Sequence, residues 1–137
     1  MRQPIVVDSS VAVKWFKEPT ESGAAEAFAL LDAHRDRYVT LVAPTHLILE
    51  VLNALRLSPL SADELAQVAQ ELEALGVAWV EIDTGLGADA ALVAHTHGLT
   101  LYGAAFVATA LMLDAELVTD DRAILRSGAC RLRALTA

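Results

Sequence analysis

An α/β domain with a mostly parallel central sheet, covered by helices on both faces, follows from three features of the sequence. Short aliphatic and β-branched runs alternate with longer helical stretches from end to end, as in parallel strands joined by crossover helices. The 137 residues are 55% hydrophobic and 20% charged, which supplies one sizeable core and argues against disorder. No repeat, linker or low-complexity segment interrupts the alternation, so residues 1–137 read as a single domain.

The elements follow in order. Pro4 to Asp8 is a buried strand, with Ile5, Val6 and Val7 β-branched in succession and a carboxylate at its end. Ser9 is placed to cap a helix in which Val11, Val13, Trp15 and Phe16 supply apolar bulk. Thr20 precedes a second helical stretch, with Ala25, Phe28, Ala29, Leu30 and Leu31 mostly on one side. Val39 to Ala43 is a strand, and Pro44 suits the first turn of a helix through Leu57, which Ser58-Pro59 breaks. Ser61 and Glu64 form a capping box for a helix to Leu75, ended by Gly76. Val77 to Ile82 is a strand, and Thr84 or Asp89 begins a helix closed by Gly98. Ala104 to Leu113 is a buried helix, and Leu117 to Thr119 a strand. Arg122 to Leu125 makes a helical turn or two, and Arg131 to Leu135 a last short strand.

The formal charge is −8, which makes the chain a poor sequence-independent binder of nucleic acid. All 18 acids and six of the ten bases lie in residues 1–121, which carry −12; the last 16 residues carry +4 from Arg122, Arg126, Arg131 and Arg133. Those arginines read either as a solvated tail or as a local patch facing an anion. The single cysteine, Cys130, excludes an internal disulfide and a multi-cysteine zinc site, and suits a reducing compartment. Met1 to Pro4 runs straight into the first strand with no signal-peptide pattern, and the uncharged run Gly98 to Leu113 falls short of the ~20 apolar residues of a membrane span. The expectation is a soluble, cytoplasmic protein with no membrane contact.

In open parallel sheets ligands bind beyond the carboxyl ends of the strands. Three such places carry acid: Asp8, Asp83 and the pair Asp120-Asp121. Asp8 is either a helix cap or a functional group. Glu50 interrupts the apolar stretch Leu47 to Leu52, and with His46 and Asn53 it forms a stripe at i, i+4 and i+7. That stripe is either a wet helical face or a site, since a carboxylate near a core needs a cation or donors. Asp120 and Asp121 repel each other unless exposed or bound to a cation, and capping of the next helix competes as an explanation for one of them. Carboxylates from separate segments, without cysteine and with few histidines, favour a hard divalent ion such as Mg²⁺ or Mn²⁺. Such an ion activates water and neutralises charge at a phosphodiester, which reconciles an acidic site with an anionic substrate.

Other candidates weigh less. Gly85 to Ala90 imitates G-x-G-x-x-A, but Asp89 would oppose a pyrophosphate. His95 and His97 diverge on a helix, His34 and Cys130 have no partner in sequence, and Ser9 and Ser10 lack a G-x-S-x-G setting.

Four segments stand in one order: Ile5 to Phe16, Leu49-Glu50-Val51-Leu52-Asn53-Ala54-Leu55, Gly98 to Ala108, and Leu117-Val118-Thr119-Asp120-Asp121-Arg122. With these the chain resembles the PIN-domain ribonucleases over nearly its whole length, and is most similar to the VapC-type toxins of toxin–antitoxin pairs. The last three segments match the family patterns E-V-x-N-A-L, L-T-x-Y-D-A-x-Y-V-A and L-V-T-A-D-R. The resemblance implies a three-layer α/β/α domain in which Asp8, Glu50 and Asp121 bind Mg²⁺ or Mn²⁺, a hydroxyl like that of Thr119 assists, and Asp120 falls on a variable position. It also implies an RNA substrate, an antitoxin protein as partner and a homodimer. One departure is serious: Gly103 stands where the family has a third aspartate, so weakened cleavage is expected. The loop after Leu57 is also short, which would trim the helical pair that often meets the partner.

Three explanations of Gly103 stay open: a degenerate domain that binds but cleaves poorly, a substitution that silences a toxin, or completion of the site by Asp120 or water. The alternative function is a non-catalytic module binding an antitoxin or RNA. A phosphohydrolase with Asp8 as nucleophile ranks last, because Ser10 stands where a D-x-D pattern needs acid.

Overall fold

Strands buried on both faces read as unbroken apolar runs rather than alternating ones, and the computed structural model, which describes residues 2–136, shows why these runs are so short. Its strands are β1 (Gln3–Val7), β2 (Val39–Pro44), β3 (Ala78–Val80), β4 (Glu116–Thr119) and β5 (Leu132–Ala134). They form one sheet, parallel throughout, in the order β3-β2-β1-β4-β5. Val6 and Val7 of β1, Leu41 of β2 and Leu117 and Val118 of β4 are essentially inaccessible.

The helices are α1 (Ser9–Ala12), continued by a 3-10 turn over Val13–Phe16, then α2 (Ala24–Arg35), α3 (Leu47–Leu55), α4 (Ala62–Ala74), α5 (Thr84–His97), α6 (Leu101–Leu113) and α7 (Arg122–Ser127). They complete the expected three-layer α/β/α arrangement. Helix α6 lies against β1, β2 and β4, with α5 packed on it; α1, α2, α3 and the 3-10 turn form a second connected group. Ala104 to Ala110 of α6 are all buried, and the alanines let this helix approach the sheet closely around Phe106. No single helix among the described residues is long and apolar enough to cross a membrane.

Several boundaries differ from expectation. Asp8, not Ser9, caps α1: its carboxylate accepts the Ser10 N–H, and Ser9 becomes the first helical residue. The helical stretch after Thr20 starts late, because α2 begins only after Gly23, whose φ of 84° is glycine's territory. A Cβ there would also crowd Leu135 and Thr136 at 3.4 Å. Pro44 ends β2 opposite Val80 instead of opening α3, and sheet pairing outweighs its preference for a first helical turn. The Ser61–Glu64 capping box forms as read, and Asp83 caps α5 through the Leu86 N–H. Gly85 and Gly87 lie inside that helix, not in a phosphate loop.

His34 has a role that its isolation in the sequence hides. Leu41 precedes the point where β3 joins β2, so its N–H lacks a strand partner. It donates instead to His34 Nδ1 at 3.1 Å, and His34 Nε2 bonds the Gly76 carbonyl at 3.1 Å. One imidazole thus bridges α2, the buried start of β2 and the turn before β3. Replacing it by leucine leaves a buried N–H unsatisfied. His34→Leu is expected to lower stability by about 1–3 kcal/mol, read as an earlier urea midpoint at unchanged m-value.

Candidate active site

Strands β1 and β4 pair with Val7 opposite Val118, so the residues immediately after them emerge side by side. From β1 the chain order runs outward through β2 and β3 on one side and through β4 and β5 on the other. This is the switch point at which open α/β sheets form their crevice.

Asp8 stands there 3% exposed. Thr119 Oγ1 donates to its Oδ2 at 2.5 Å, and the Ser10 hydroxyl and N–H donate to its Oδ1 at 2.6 and 3.1 Å. Both hydroxyls in turn accept backbone donors, Thr119 from Asp121 N at 2.9 Å and Ser10 from Asp120 N at 2.8 Å. The turn between β4 and α7 therefore hangs on Asp8 through two hydroxyls. No lysine or arginine enters this network among the described residues. Burial pushes the Asp8 carboxyl up to about 6, against the downward pull of Ser10, Thr119 and the Val11 N–H, and the Asp121 charge adds to the rise.

The other predicted residues gather less tightly. Glu50 of α3 is half-buried, and its Oε1 accepts the Ser9 hydroxyl at 3.1 Å, one residue from Asp8. Asp121 is exposed, and its Oδ1 caps α7 by accepting Ala123 N and Ile124 N. Its Oδ2 takes no hydrogen bond among the described residues. Asp120 Oδ1 accepts the Thr136 hydroxyl and N–H, an engagement that argues against its replacing a missing acid. Asp83 caps a helix at the edge strand, away from this centre. Sequence reasoning missed Ser10 as the hub of the network; its partners Thr119 and Asp120 lie more than a hundred positions away, with no local signal.

The side-chain atoms around Asp8 that could ligate a metal are oxygens alone, the chemistry of a hard divalent cation. Among the described residues no three acids, histidines or cysteines stand close enough to cage an ion by themselves. Mg²⁺ does not need a cage, since it is commonly held through one or two carboxylates and keeps several waters. The residues therefore fit such an ion as an open site.

Gly103 occupies the first turn of α6, where its N–H donates to the capping hydroxyl of Thr100. Its backbone is outside the positive-φ region, so conformation does not demand glycine. A Cβ there would lie 3.2 Å from Thr100 Oγ1 and 3.5 Å from Ile124, in the first turn of the helix that Asp121 caps. A side chain at 103 would start out beside Ile124, and the Thr100 hydroxyl would have to give by a few tenths of an ångström to admit it.

The basic C-terminal segment divides. Arg133 bonds Glu116 at 2.9 Å, and Arg131 reaches the Asp114 carbonyl and carboxylate. Arg122 and Arg126, exposed and one turn apart on α7, enter no ion pair among the described residues. The anion-facing reading is thereby narrowed to these two.

Comparison with known proteins adds a family and a fold. The family model for the PIN domain matches residues 5–128. No curated protein matches the sequence. Among solved structures, PAE2754 from Pyrobaculum aerophilum is 24% identical, with a TM-score of 0.66 over 96% of this chain and 92% of that one. DNA-bound VapBC from Salmonella typhimurium gives 14% identity and a TM-score of 0.72 over 98% and 99%. Mycobacterium tuberculosis VapC20, a toxin that cleaves the sarcin–ricin loop, gives 15% and 0.70 over 90% and 95%.

The buried Asp8 has a measurable consequence in metal-free buffer. Below about pH 4 its carboxyl is protonated in both folded and unfolded chains; as pH rises through about 6 the fold must ionise a buried group that the unfolded chain ionised earlier. Stability is lost across that window. Asp8→Asn in EDTA is expected to raise unfolding free energy by about 1–3 kcal/mol near pH 7 and to give no gain near pH 4, measured by chemical denaturation.

Proposed function

The chain belongs to the PIN domain family, and from that premise we propose that it is a metal-dependent endoribonuclease of the VapC toxin class, weakened by Gly103. The observation that carries this reading is the oxygen-lined crevice around buried Asp8 at the switch point of the sheet, into which no lysine or arginine reaches among the described residues. Asp8, Glu50 and Asp121 would hold Mg²⁺ or Mn²⁺, which when bound supplies Lewis acidity to a phosphodiester and acidifies water. The protein's own groups prepare that chemistry. Thr119 and Ser10 fix both oxygens of Asp8, Ser9 fixes Glu50, and the cap of α7 fixes Asp121 with one oxygen to spare. Arg122 and Arg126 beside Asp121 would meet backbone phosphates of the RNA.

An antitoxin partner and a homodimer belong to the same proposal. A cleft of about 590 Å³ between the 3-10 turn and α4 combines Trp15, Phe16 and Leu60 with three acids, Asp63, Glu64 and Glu71, against the single base Lys17. It suits a basic, partly apolar segment of an antitoxin. Leu92 on α5 and Leu101, Leu111 and Met112 on α6 are large exposed apolar side chains, available to a second copy of the chain.

The second reading, a PIN-fold module that binds antitoxin or RNA without cleaving, is favoured by Gly103 and by the absence of a caging set of acids among the described residues. One experiment separates the two: a mixed set of structured RNAs, incubated with Mn²⁺ or EDTA and either the wild type or Gly103→Asp. Cleavage in Mn²⁺ that EDTA abolishes, faster in Gly103→Asp by about tenfold or more (~1.4 kcal/mol or more of barrier), is expected. Equal rates would refute the role given to Gly103. Inactivity of both folded proteins would favour the binding module.

A further inference from the structure

A second cleft, of about 270 Å³, adjoins the Asp8 centre and is lined by His46, Leu49, Glu50, Asn53 and Tyr102. It is the polar stripe of α3 facing the first turn of α6. We propose that this cleft seats one unstacked nucleobase of a single-stranded RNA, next to the phosphate addressed at Glu50; the inference rests on the ribonuclease reading above.

Three features of the cleft match a base. Tyr102 is 64% exposed and offers a free aromatic face, while Leu49, 70% exposed, supplies an apolar flank. Bases in single strands are held by stacking on such rings, whatever their identity. Asn53 gives the edge contact: Arg56 Nε donates to its Oδ1 at 2.8 Å, which orients the amide and leaves its NH₂ to meet a base carbonyl or ring nitrogen. Glu50 lines the cleft and also bonds Ser9 beside Asp8, so a base seated here belongs to a nucleotide at the reacting centre.

His46 is the positioning residue. Its Nε2 bonds the Tyr102 carbonyl at 2.9 Å, and its ring lies 4.4 Å from that of buried Phe106 and 6.3 Å from that of Tyr102. Its Nδ1 is buried and bonded to nothing among the described residues. A phenylalanine would fill the space without leaving a polar atom unpaired. What the imidazole adds is the bond that sets the backbone, and with it the ring, of Tyr102.

The test is fluorescence anisotropy of a short labelled single-stranded RNA, titrated with the full chain in Ca²⁺ and with strand integrity followed on a gel. Tyr102→Ala is expected to bind about 5- to 150-fold more weakly, the range that stacking of one base is worth, and Tyr102→Phe to match the wild type. With wild-type protein, one abasic position in the strand should reproduce the loss. Unchanged binding by Tyr102→Ala, or an abasic scan with no sensitive position, overturns the subsite and leaves the nuclease reading standing. If the wild type neither binds RNA in Ca²⁺ nor cleaves it in Mn²⁺, the ribonuclease reading falls and the subsite with it.

Discussion

The end of the sheet that carries the candidate site depends on one carboxylate held in the core with no lysine or arginine beside it among the described residues. Asp8 could have been left in water at the tip of β1; instead it is enclosed, and two hydroxyls and two N–H groups partly offset its desolvation. Because each hydroxyl also accepts a backbone donor from the β4–α7 turn, the same bonds that solvate Asp8 dictate where Asp121 stands. The sheet supplies the coarse placement through the pairing of β1 with β4, and the hydroxyls supply the fine placement.

This arrangement also resists folding. A buried acid raised to about 6 opposes the native state at neutral pH, and the surrounding core, from Val6 and Val7 through Leu41 to Leu117, offsets that cost. Gly103 stands in a different relation to stability. It is the third residue of α6, in ordinary helical backbone where most other residues would favour the helix. Backbone geometry does not account for glycine there, and the one close approach a Cβ would make is to the Thr100 hydroxyl.

The layers and the order of elements were legible in the sequence, because strands buried on both faces must be continuous apolar runs and helices between them must be longer. Capping signals were legible where they were local, as at Ser61–Glu64 and Gly98. A local signal failed where a distant group competed, as Pro44 is drawn into the sheet by Val80, or where a neighbour did, as Asp8 displaces Ser9 as a cap. At the candidate site, Asp8 and Asp121 were legible as acids following strands, Glu50 as an acid interrupting an apolar helical run, and Thr119 through a family resemblance. Ser10 and His34 were not, since what defines each is a partner supplied by another part of the chain.

The bond from Thr119 to Asp8 spans 111 positions of sequence, and that separation has a temporal side. A ribosome adding about 5–20 residues each second takes roughly 5 to 20 s to travel between them. Throughout that interval the amino-terminal acid has no β4 to enclose it, and the nascent chain carries half a crevice. Long-range pairing of this kind also slows folding. The candidate crevice is thus a late part of the fold to have all its pieces, and it closes only once β4 has been made.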